Sequence, residues 1–163
     1  MSNPNFSLRA IEAGDMAFLK SVYVSTRQEE MAQTGWTREQ IDEFLGFQFN
    51  AQHQFYQMQY PDAQYAVILL DGEPVGRLYL DRREDEHRVV DIALLPQYRG
   101  KGLGYALMRD VLLEALAARK PVRIHVEQNN PALRLYKRLG FQHRGDNGVY
   151  YLMEWQPNTG HNP

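Results

Sequence analysis

Cysteine is absent from the 163-residue sequence. Disulfide bonds, thiolate nucleophiles and cysteine-based metal sites are therefore excluded, and the composition is compatible with a reducing cytoplasm, where we expect the protein to be located. The five histidines are scattered, and no two of them have the spacing of metal ligands; they lie at positions 53, 87, 125, 143 and 161. The sequence consequently predicts no metal site.

Long apolar runs and concentrated charge are also missing. No stretch of about 18 apolar residues could span a membrane, and the first five residues lack the apolar core of a signal peptide, so no membrane partner is expected. The net charge is −2, and basic residues do not cluster beyond Arg82-Arg83, so no nucleic-acid partner is predicted.

The hydrophobic and aromatic residues of the sequence are sufficient for a folded core. The composition is 44% hydrophobic and 12% aromatic, which is typical of a chain that folds. The length predicts one domain at residues 1–156, followed by a polar tail at residues 157–163. Periodicity and turn residues predict both strands and helices. The predicted strands are residues 6–11, 64–70, 73–80, 89–95, 121–126, 141–144 and 149–155, and the predicted helices begin near Gly14, Thr37, Leu103 and Asn129.

Three local signals support these boundaries. Asp71-Gly72 between two apolar runs is typical of a β-hairpin, and residues 145–148 predict a second one. Thr37-Arg-Glu-Gln40 is a capping-box pattern that predicts a helix start. The inward side chains expected on that helix are Ile41, Phe44, Leu45 and Phe55. Residues 27–36, before this helix, are expected to form a loop.

The most informative stretch runs from residue 89 to residue 108. Its apolar beginning, bounded by Pro96, predicts a buried strand, and leucines at helical spacing follow Leu103. Between strand and helix stand Gly100, Gly102 and Gly104. Because a helix N-terminus presents backbone N–H groups and glycine permits close approach, this turn is suited to a phosphate. Arg99 and Lys101 add positive charge, and an ordinary strand-to-helix turn is the alternative interpretation.

The spacing of the glycines shows which of the known phosphate-binding motifs the sequence can match. A dinucleotide fingerprint needs a third glycine where Tyr105 stands, and a P-loop needs Ser or Thr where Gly102 stands. The segment Gln-Tyr-Arg-Gly-Lys-Gly at residues 97–102 instead resembles the acetyl-CoA loop of the GNAT (GCN5-related N-acetyltransferase) superfamily. Residues 129–141, Asn-Asn-Pro-Ala-Leu-Arg-Leu-Tyr-Lys-Arg-Leu-Gly-Phe, resemble a second motif of the same superfamily.

This resemblance covers roughly residues 6–155 and implies the fold. It implies an α+β protein with a mixed, mostly antiparallel sheet of about six to seven strands and about four helices. It also implies an acetyl-CoA site in an opening between the central strand and the next one. The cofactor-binding residues implied by the match are Ile92, Ala93, Leu94, Arg99, Gly100, Lys101, Gly102, Leu103, Gly104, Asn129, Pro131 and Tyr136.

The resemblance also implies a catalytic role for Tyr136, whose hydroxyl would protonate the departing thiolate; a packed aromatic ring is the alternative. Asn129 would reach the cofactor arm, or serve only as a helix cap. The base that removes the proton of an attacking amine is less defined. Asp91 is the first candidate, or else a salt-bridged strand residue, and His125 and Glu127 share one face of the next strand.

The implied activity is transfer of the acetyl group of acetyl-CoA to a primary amine of a small molecule or peptide, by direct attack. Alternatives are another acyl group or acceptor, and an acyl-CoA-binding or sensing module without turnover. The acceptor site implied by the fold includes Glu29, Glu30 and Trp36, and its acidic and aromatic groups would suit a cationic acceptor. The protein is expected to be a monomer or a homodimer.

Overall fold

The structure, a computed structural model, describes residues 5–157, so the predicted polar tail lies outside the described residues except for Pro157. The described residues form seven strands and five α-helices. In chain order these are β1 (Phe6–Ala10), α1 (Met16–Ser25), α2 (Gln28–Ala32), α3 (Arg38–Gln59), β2 (Gln64–Leu70), β3 (Glu73–Arg82), β4 (His87–Leu94), α4 (Leu103–Ala118), β5 (Val122–Glu127), α5 (Leu133–Arg138), β6 (Gln142–Asn147) and β7 (Tyr150–Trp155). No helix among them combines the length and apolar character needed to cross a membrane.

The seven strands form one sheet in the order β1-β2-β3-β4-β5-β7-β6. The pair β4–β5 is parallel, and the pairs β1–β2, β5–β7 and β6–β7 are antiparallel. A parallel pair needs a crossover connection, and α4 supplies it. The predicted mixed, mostly antiparallel α+β fold is therefore confirmed, with one helix more than the four expected.

Internal contacts divide the chain into two compact units. Within the described residues, unit 1 comprises residues 79–91 and 99–157, and unit 2 comprises residues 5–78 and 92–98. Unit 1 buries the inner face of α4 and the apolar side chains of β5 and β7; the fully buried ones include Leu107, Met108, Leu112, Val122, Met153 and Trp155. Unit 2 has a core between α1, α2, α3 and β2, made of Leu19, Tyr23, Met31, Leu45, Phe49 and Val67.

Helix α3 begins as its sequence predicts. The Thr37 side chain accepts a hydrogen bond from the Gln40 N–H at 3.1 Å, and the Gln40 side chain accepts one from the Thr37 N–H at 2.9 Å. Leu45 and Phe49, four residues apart, point inward. The inward orientation expected for Phe44 and Phe55 is wrong, because both lie outside the face of Leu45 and Phe49 and are 36% and 53% exposed.

Two further expectations need correction. The expected loop at residues 27–36 contains the short helix α2, which is held by the burial of Met31. The second hairpin turns at Gly148-Val149 rather than over residues 145–148, because a bulge at His143/Gly145 lets β6 continue to Asn147. By contrast, the Asp71-Gly72 hairpin is confirmed, with positive φ values of 51° and 83° at its two turn residues.

Candidate active site

The glycine turn of unit 1 leads directly into α4. Gly100 and Gly102 have φ values of 73° and 84°, a left-handed conformation that glycine adopts without strain. Gly102 occupies the N-cap position of α4 and has no side chain to cap the helix. A Cβ placed on either glycine would meet nothing within 4 Å, so the space beside this backbone is open. Glycine is therefore required here by the backbone conformation rather than by crowding.

The beginning of α4 has the properties of an anion site. The first intrahelical bond runs from the Ala106 N–H to the Gly102 carbonyl at 3.1 Å, so the preceding N–H groups have no acceptor within the helix. The first turn of α4 carries no acidic residue. Arg99 and Lys101 are exposed in the turn. Donors, helix dipole and cationic side chains thus fit a diphosphate such as that of CoA.

Helix α5 lies beside the start of α4. A Cβ on Gly104 would lie 3.6 Å from a methyl group of Leu135, and the Arg138 guanidinium lies 5.6 Å from the centre of the Tyr105 ring. These contacts bring the two sequence motifs together within unit 1. The glycine turn before α4 and helix α5, which carries Tyr136, are therefore adjacent.

Tyr136 is buried on α5, with 4% of its surface exposed. Its ring packs edge-on against Phe141 at 5.7 Å between centres. Burial raises the pKa of its hydroxyl above the usual 10.0, and the charge of Asp91 raises it further. The hydroxyl consequently stays protonated near neutral pH. At neutral pH Tyr136 can therefore donate a proton, but it cannot act as the base that accepts one.

The other motif residues at α5 are exposed. Asn129 and Pro131 lie in the turn between β5 and α5. The side chain of Asn130 accepts a hydrogen bond from the Ala132 N–H at 2.9 Å, so Asn130 orders the turn before the helix. Because Asn130 makes this local capping hydrogen bond, Asn129 is not needed for it.

Strands β4 and β5 are paired only at their beginnings. The parallel ladder joins His87 to Val122, Arg88 to Arg123 and Val89 to Ile124, and across residues 5–157 it includes no later pair, although both strands continue. Asp91 therefore lies beyond the last residue of β4 that pairs with β5. Its charge acts on the Tyr136 hydroxyl, so these two candidate catalytic residues lie close together within unit 1.

His125 is less suited to be a base. Its Nδ1 lies 3.1 Å from Nη1 of Arg88, and because a guanidinium only donates, Nδ1 is the acceptor. The neutral ring then carries its proton on Nε2. Partial burial lowers the pKa of His125, the Arg88 charge lowers it further, and Glu86 partly opposes both. Arg88 thus occupies the lone pair that would have to accept a proton.

In unit 2, Ile92, Ala93 and Leu94 form the end of β4 and are half-buried. The Leu95 N–H donates to the Val75 carbonyl at 2.9 Å, and a Cβ on Gly76 would overlap the carbonyl oxygen of Ala93. Gly76 is consequently needed for the close approach of β3 to this part of β4. Gly76 is not among the residues that the sequence predicted for the site, although an isolated glycine inside a strand is a signal for such a close approach.

The predicted acceptor residues of unit 2 are exposed. Glu29 and Glu30 lie on α2, and Glu30 forms an ion pair with Arg27 at 3.5 Å. Trp36 is 44% exposed and packs edge-on against Phe44, with ring centres 5.2 Å apart. The charge of Glu30 is therefore partly offset by Arg27.

Arg77 on β3 is a polar feature of unit 2 that the sequence did not reveal. It is 3% exposed, and its guanidinium donates to the side chain of Gln52 at 3.0 Å and lies 6.0 Å from the centre of the Tyr23 ring. Burial lowers the pKa of the nearby His53, and the Arg77 charge lowers it further. An arginine between apolar strand residues gives no local sign of burial, which explains the omission.

No cluster of three or more His, Asp or Glu side chains within residues 5–157 is positioned to hold a metal ion. A mixed sheet with a parallel pair β4–β5, followed by a glycine turn beside a buried tyrosine, is the arrangement that the acetyltransferase resemblance implied.

Comparisons with known proteins agree with the resemblance to acetyltransferases. The sequence model described as the Acetyltransferase (GNAT) family matches residues 23–141. A Bacillus subtilis protein named "Putative ribosomal protein bS18-alanine N-acetyltransferase" is 35% identical over 105 residues, which are 58% of this chain and 69% of the relative. An N-alpha-acetyltransferase of Sulfurisphaera tokodaii is 31% identical over 96 residues, covering 50% of this chain and 58% of the relative.

Solved structures show the same fold. The PaiA N-acetyltransferase of Thermoplasma acidophilum, in complex with coenzyme A, superposes with a TM-score of 0.70 at 17% identity, covering 96% of this chain and 99% of that one. The protein is therefore an N-acetyltransferase of the acetyl-CoA-dependent class. The chain belongs to the acetyltransferase (GNAT) family, which confirms the resemblance found in its two motifs.

Proposed function

We propose that this protein transfers the acetyl group of acetyl-CoA to the α-amine of a peptide or protein N-terminus by direct attack. The observation that carries the proposal is the uncapped glycine turn of α4, which lies beside the helix that holds the buried Tyr136 close to Asp91. This arrangement combines a binding site for a diphosphate with a proton donor in a single unit.

The turn from Arg99 to Gly104 would hold the diphosphate of CoA. Its backbone N–H groups at the start of α4 would donate to phosphate oxygens, and Lys101 would add charge. Hydrogen bonds to charged groups contribute roughly 1.5–3 kcal/mol each. The backbone of Ile92 and Leu94, at the end of β4, would pair with the amides of the pantetheine arm, and Asn129 and Pro131 would border it, as the resemblance implies.

Tyr136 would act in the acyl-transfer step. The amine nitrogen attacks the thioester carbonyl, a C–N bond forms, the C–S bond breaks, and the departing sulfur takes the Tyr136 proton. A donor of this kind contributes about 10²–10⁴-fold to the rate. The raised pKa of Tyr136 keeps the donor protonated before the step.

Asp91 would accept the proton that the amine loses, directly or through water. A carboxylate is a weak base, which limits the amines that it can serve. A peptide α-amine has a pKa of about 7.7–8.0, so roughly a tenth of it is neutral at pH 7. An alkyl amine with a pKa near 10.4 is neutral in fewer than about one molecule per thousand. The much larger neutral fraction of an α-amine therefore favours a peptide N-terminus as the acceptor.

Two other observations favour the same acceptor. The sequence relatives at 35% and 31% identity are named as acetyltransferases of an alanine of a ribosomal protein and of α-amines. The ion pair between Arg27 and Glu30 reduces the negative charge that a polyamine would need.

The proposal is tested with the purified chain, acetyl-CoA and a panel of peptides that differ in their first residue. Free-thiol release would be followed together with the mass of the peptide, and N-terminally blocked peptides and spermidine would serve as controls. We expect thiol release and a gain of one acetyl group on free N-termini only. Release with spermidine but with no peptide would contradict the acceptor assignment. Saturable acetyl-CoA binding with no acetylated product from any amine would favour a binding module.

A further inference from the structure

Helix α3 carries a second apolar face that the core of unit 2 does not use. Its exposed large side chains include Phe47 and Met58, which are 75% and 82% exposed, and Phe55, which is 53% exposed. At about 100° per residue they fall in one stripe roughly 80° wide, distinct from the inward face of Leu45 and Phe49. The stripe consists of Phe44, Phe47, Ala51, Phe55 and Met58.

The composition around this stripe is that of an interface. Residues 44–61 contain no Asp, Glu, Lys or Arg, although the chain as a whole is 23% charged. Aromatic residues and Met are enriched in protein interfaces, and charged residues are depleted in their centres. Together with Trp36, which packs on Phe44, the stripe exposes roughly 600 Å² of largely apolar surface. That equals the largest patch expected on a monomer and approaches the roughly 800 Å² that each partner buries in a standard interface.

The order of side chains along the stripe is symmetric. Phe47 and Phe55 lie four residues on either side of Ala51, and Phe44 and Met58 lie seven residues on either side. The smallest side chain is therefore at the centre, with bulky groups at equal distances. A surface with this symmetry is complementary to itself when a second copy is rotated by 180° about an axis through Ala51.

We propose that α3 forms a two-fold, antiparallel contact with α3 of a second copy of this chain, centred on Ala51. The two Ala51 residues meet where the helices cross, which permits the close approach of 8–10 Å between axes that small residues favour. Phe47 of one copy packs against Phe55 of the other, and Phe44 packs against Met58. The contact buries both stripes without placing a charge in the interface.

The first test is the mass of the full chain in solution, measured by sedimentation velocity from low micromolar to several hundred micromolar concentration. We expect a reversible dimer. Ala51→Glu places two carboxylates side by side on the axis, where like charges are strongly unfavourable, and should raise the dissociation constant at least about 100-fold. Asn50→Glu is the matched control, since Asn50 is exposed but lies about 100° around the helix. It should leave the dimer intact.

The lack of cysteine permits a second test, because single-cysteine variants have no competing thiol. Under mild oxidation Ala51→Cys should form a disulfide-linked dimer. Phe47→Cys should not, because an antiparallel contact separates the two copies of this residue by about 12 Å along the axis. A chain that stays monomeric at every concentration, a dimer that survives Ala51→Glu, or equal cross-linking at both positions would overturn the proposal.

Discussion

Unit 1 and unit 2 accommodate charge in different ways. In unit 1 the buried carboxylate of Glu86 receives one hydrogen bond from Arg88 and one from Arg123, both at 2.8 Å. Arg123 also donates to Glu154 at 2.7 Å, so neighbouring strands are linked by charged pairs. In unit 2 the helix segment at residues 44–59 has no charged side chain and packs through aromatic and apolar groups.

Charged pairs link β4, β5 and β7 in unit 1, the unit that carries the glycine turn of α4. They also make its stability depend on pH. The apolar contacts on α3 contain no ion pair, and they leave an exposed apolar stripe available for another chain. Variants in both units test this contrast between charged pairs and apolar packing, and the expected effect decreases from Gly102→Val to Thr37→Ala.

Gly102→Val should abolish saturable acetyl-CoA binding. A β-branched residue is strained at a φ of 84°, so we expect the turn to change conformation and its N–H groups to lose their direction. The strain itself is about 1–2 kcal/mol. Gly72→Val in unit 2 is the matched control, because its φ is 83° and its Cβ also meets nothing within 4 Å. Both variants should lose similar stability, but calorimetry should show lost affinity only for Gly102→Val. Unchanged affinity in that variant would refute the turn as the diphosphate site.

Glu86→Gln should lower the free energy of unfolding by about 2 kcal/mol near neutral pH, because two arginines lose their charged partner. Burial alone would raise the pKa of Glu86, but Arg88 and Arg123 outweigh it and hold the pKa below its usual 4.5. The carboxylate therefore stabilises the fold above pH 4.5, and the contribution is lost as pH falls through the lowered pKa.

Urea unfolding of this variant and the wild type at several pH values measures that contribution. The difference between them should shrink in acid, whereas Glu84→Gln, an exposed neighbour, should have little effect at any pH. A difference that stays constant down to low pH would show that the ion pairs are not its source.

Thr37→Ala should cost about 1 kcal/mol, the smallest effect, by removing one half of the capping box of α3. Thr37→Ser retains the hydroxyl and should behave almost like the wild type. Because no charge is involved, the loss measured by thermal unfolding should be the same at neutral and acidic pH. A pH-dependent loss would remove the contrast between the units.

The sequence alone predicted those local features that depend on a few neighbouring residues. The Asp71-Gly72 turn and the Thr37 cap depend on neighbouring residues, and both were found as expected. The resemblance carried by residues 97–102 and 129–141 predicted the family and the fold. The roles of the individual site residues remain predictions, and the variants described here test them.

The errors arise where local patterns are ambiguous. Helix α3 has two apolar faces, and periodicity does not tell which one is buried, so Phe44 and Phe55 were placed inward. Helix α2 is too short for a periodic signal and depends on the tertiary burial of Met31. The burial of Arg77 depends on Tyr23 and Gln52, which are distant in sequence.

The proposed role of Tyr136 as the proton donor is tested by the steady-state kinetics of Tyr136→Phe. The variant keeps the buried ring and its contact with Phe141 but lacks the proton. We predict that turnover with an accepting peptide falls by about 10²-fold or more while acetyl-CoA affinity is unchanged, because only a transition-state interaction is lost. A loss smaller than about threefold, which is well under 1 kcal/mol of barrier, would contradict the assignment of Tyr136 as the proton donor.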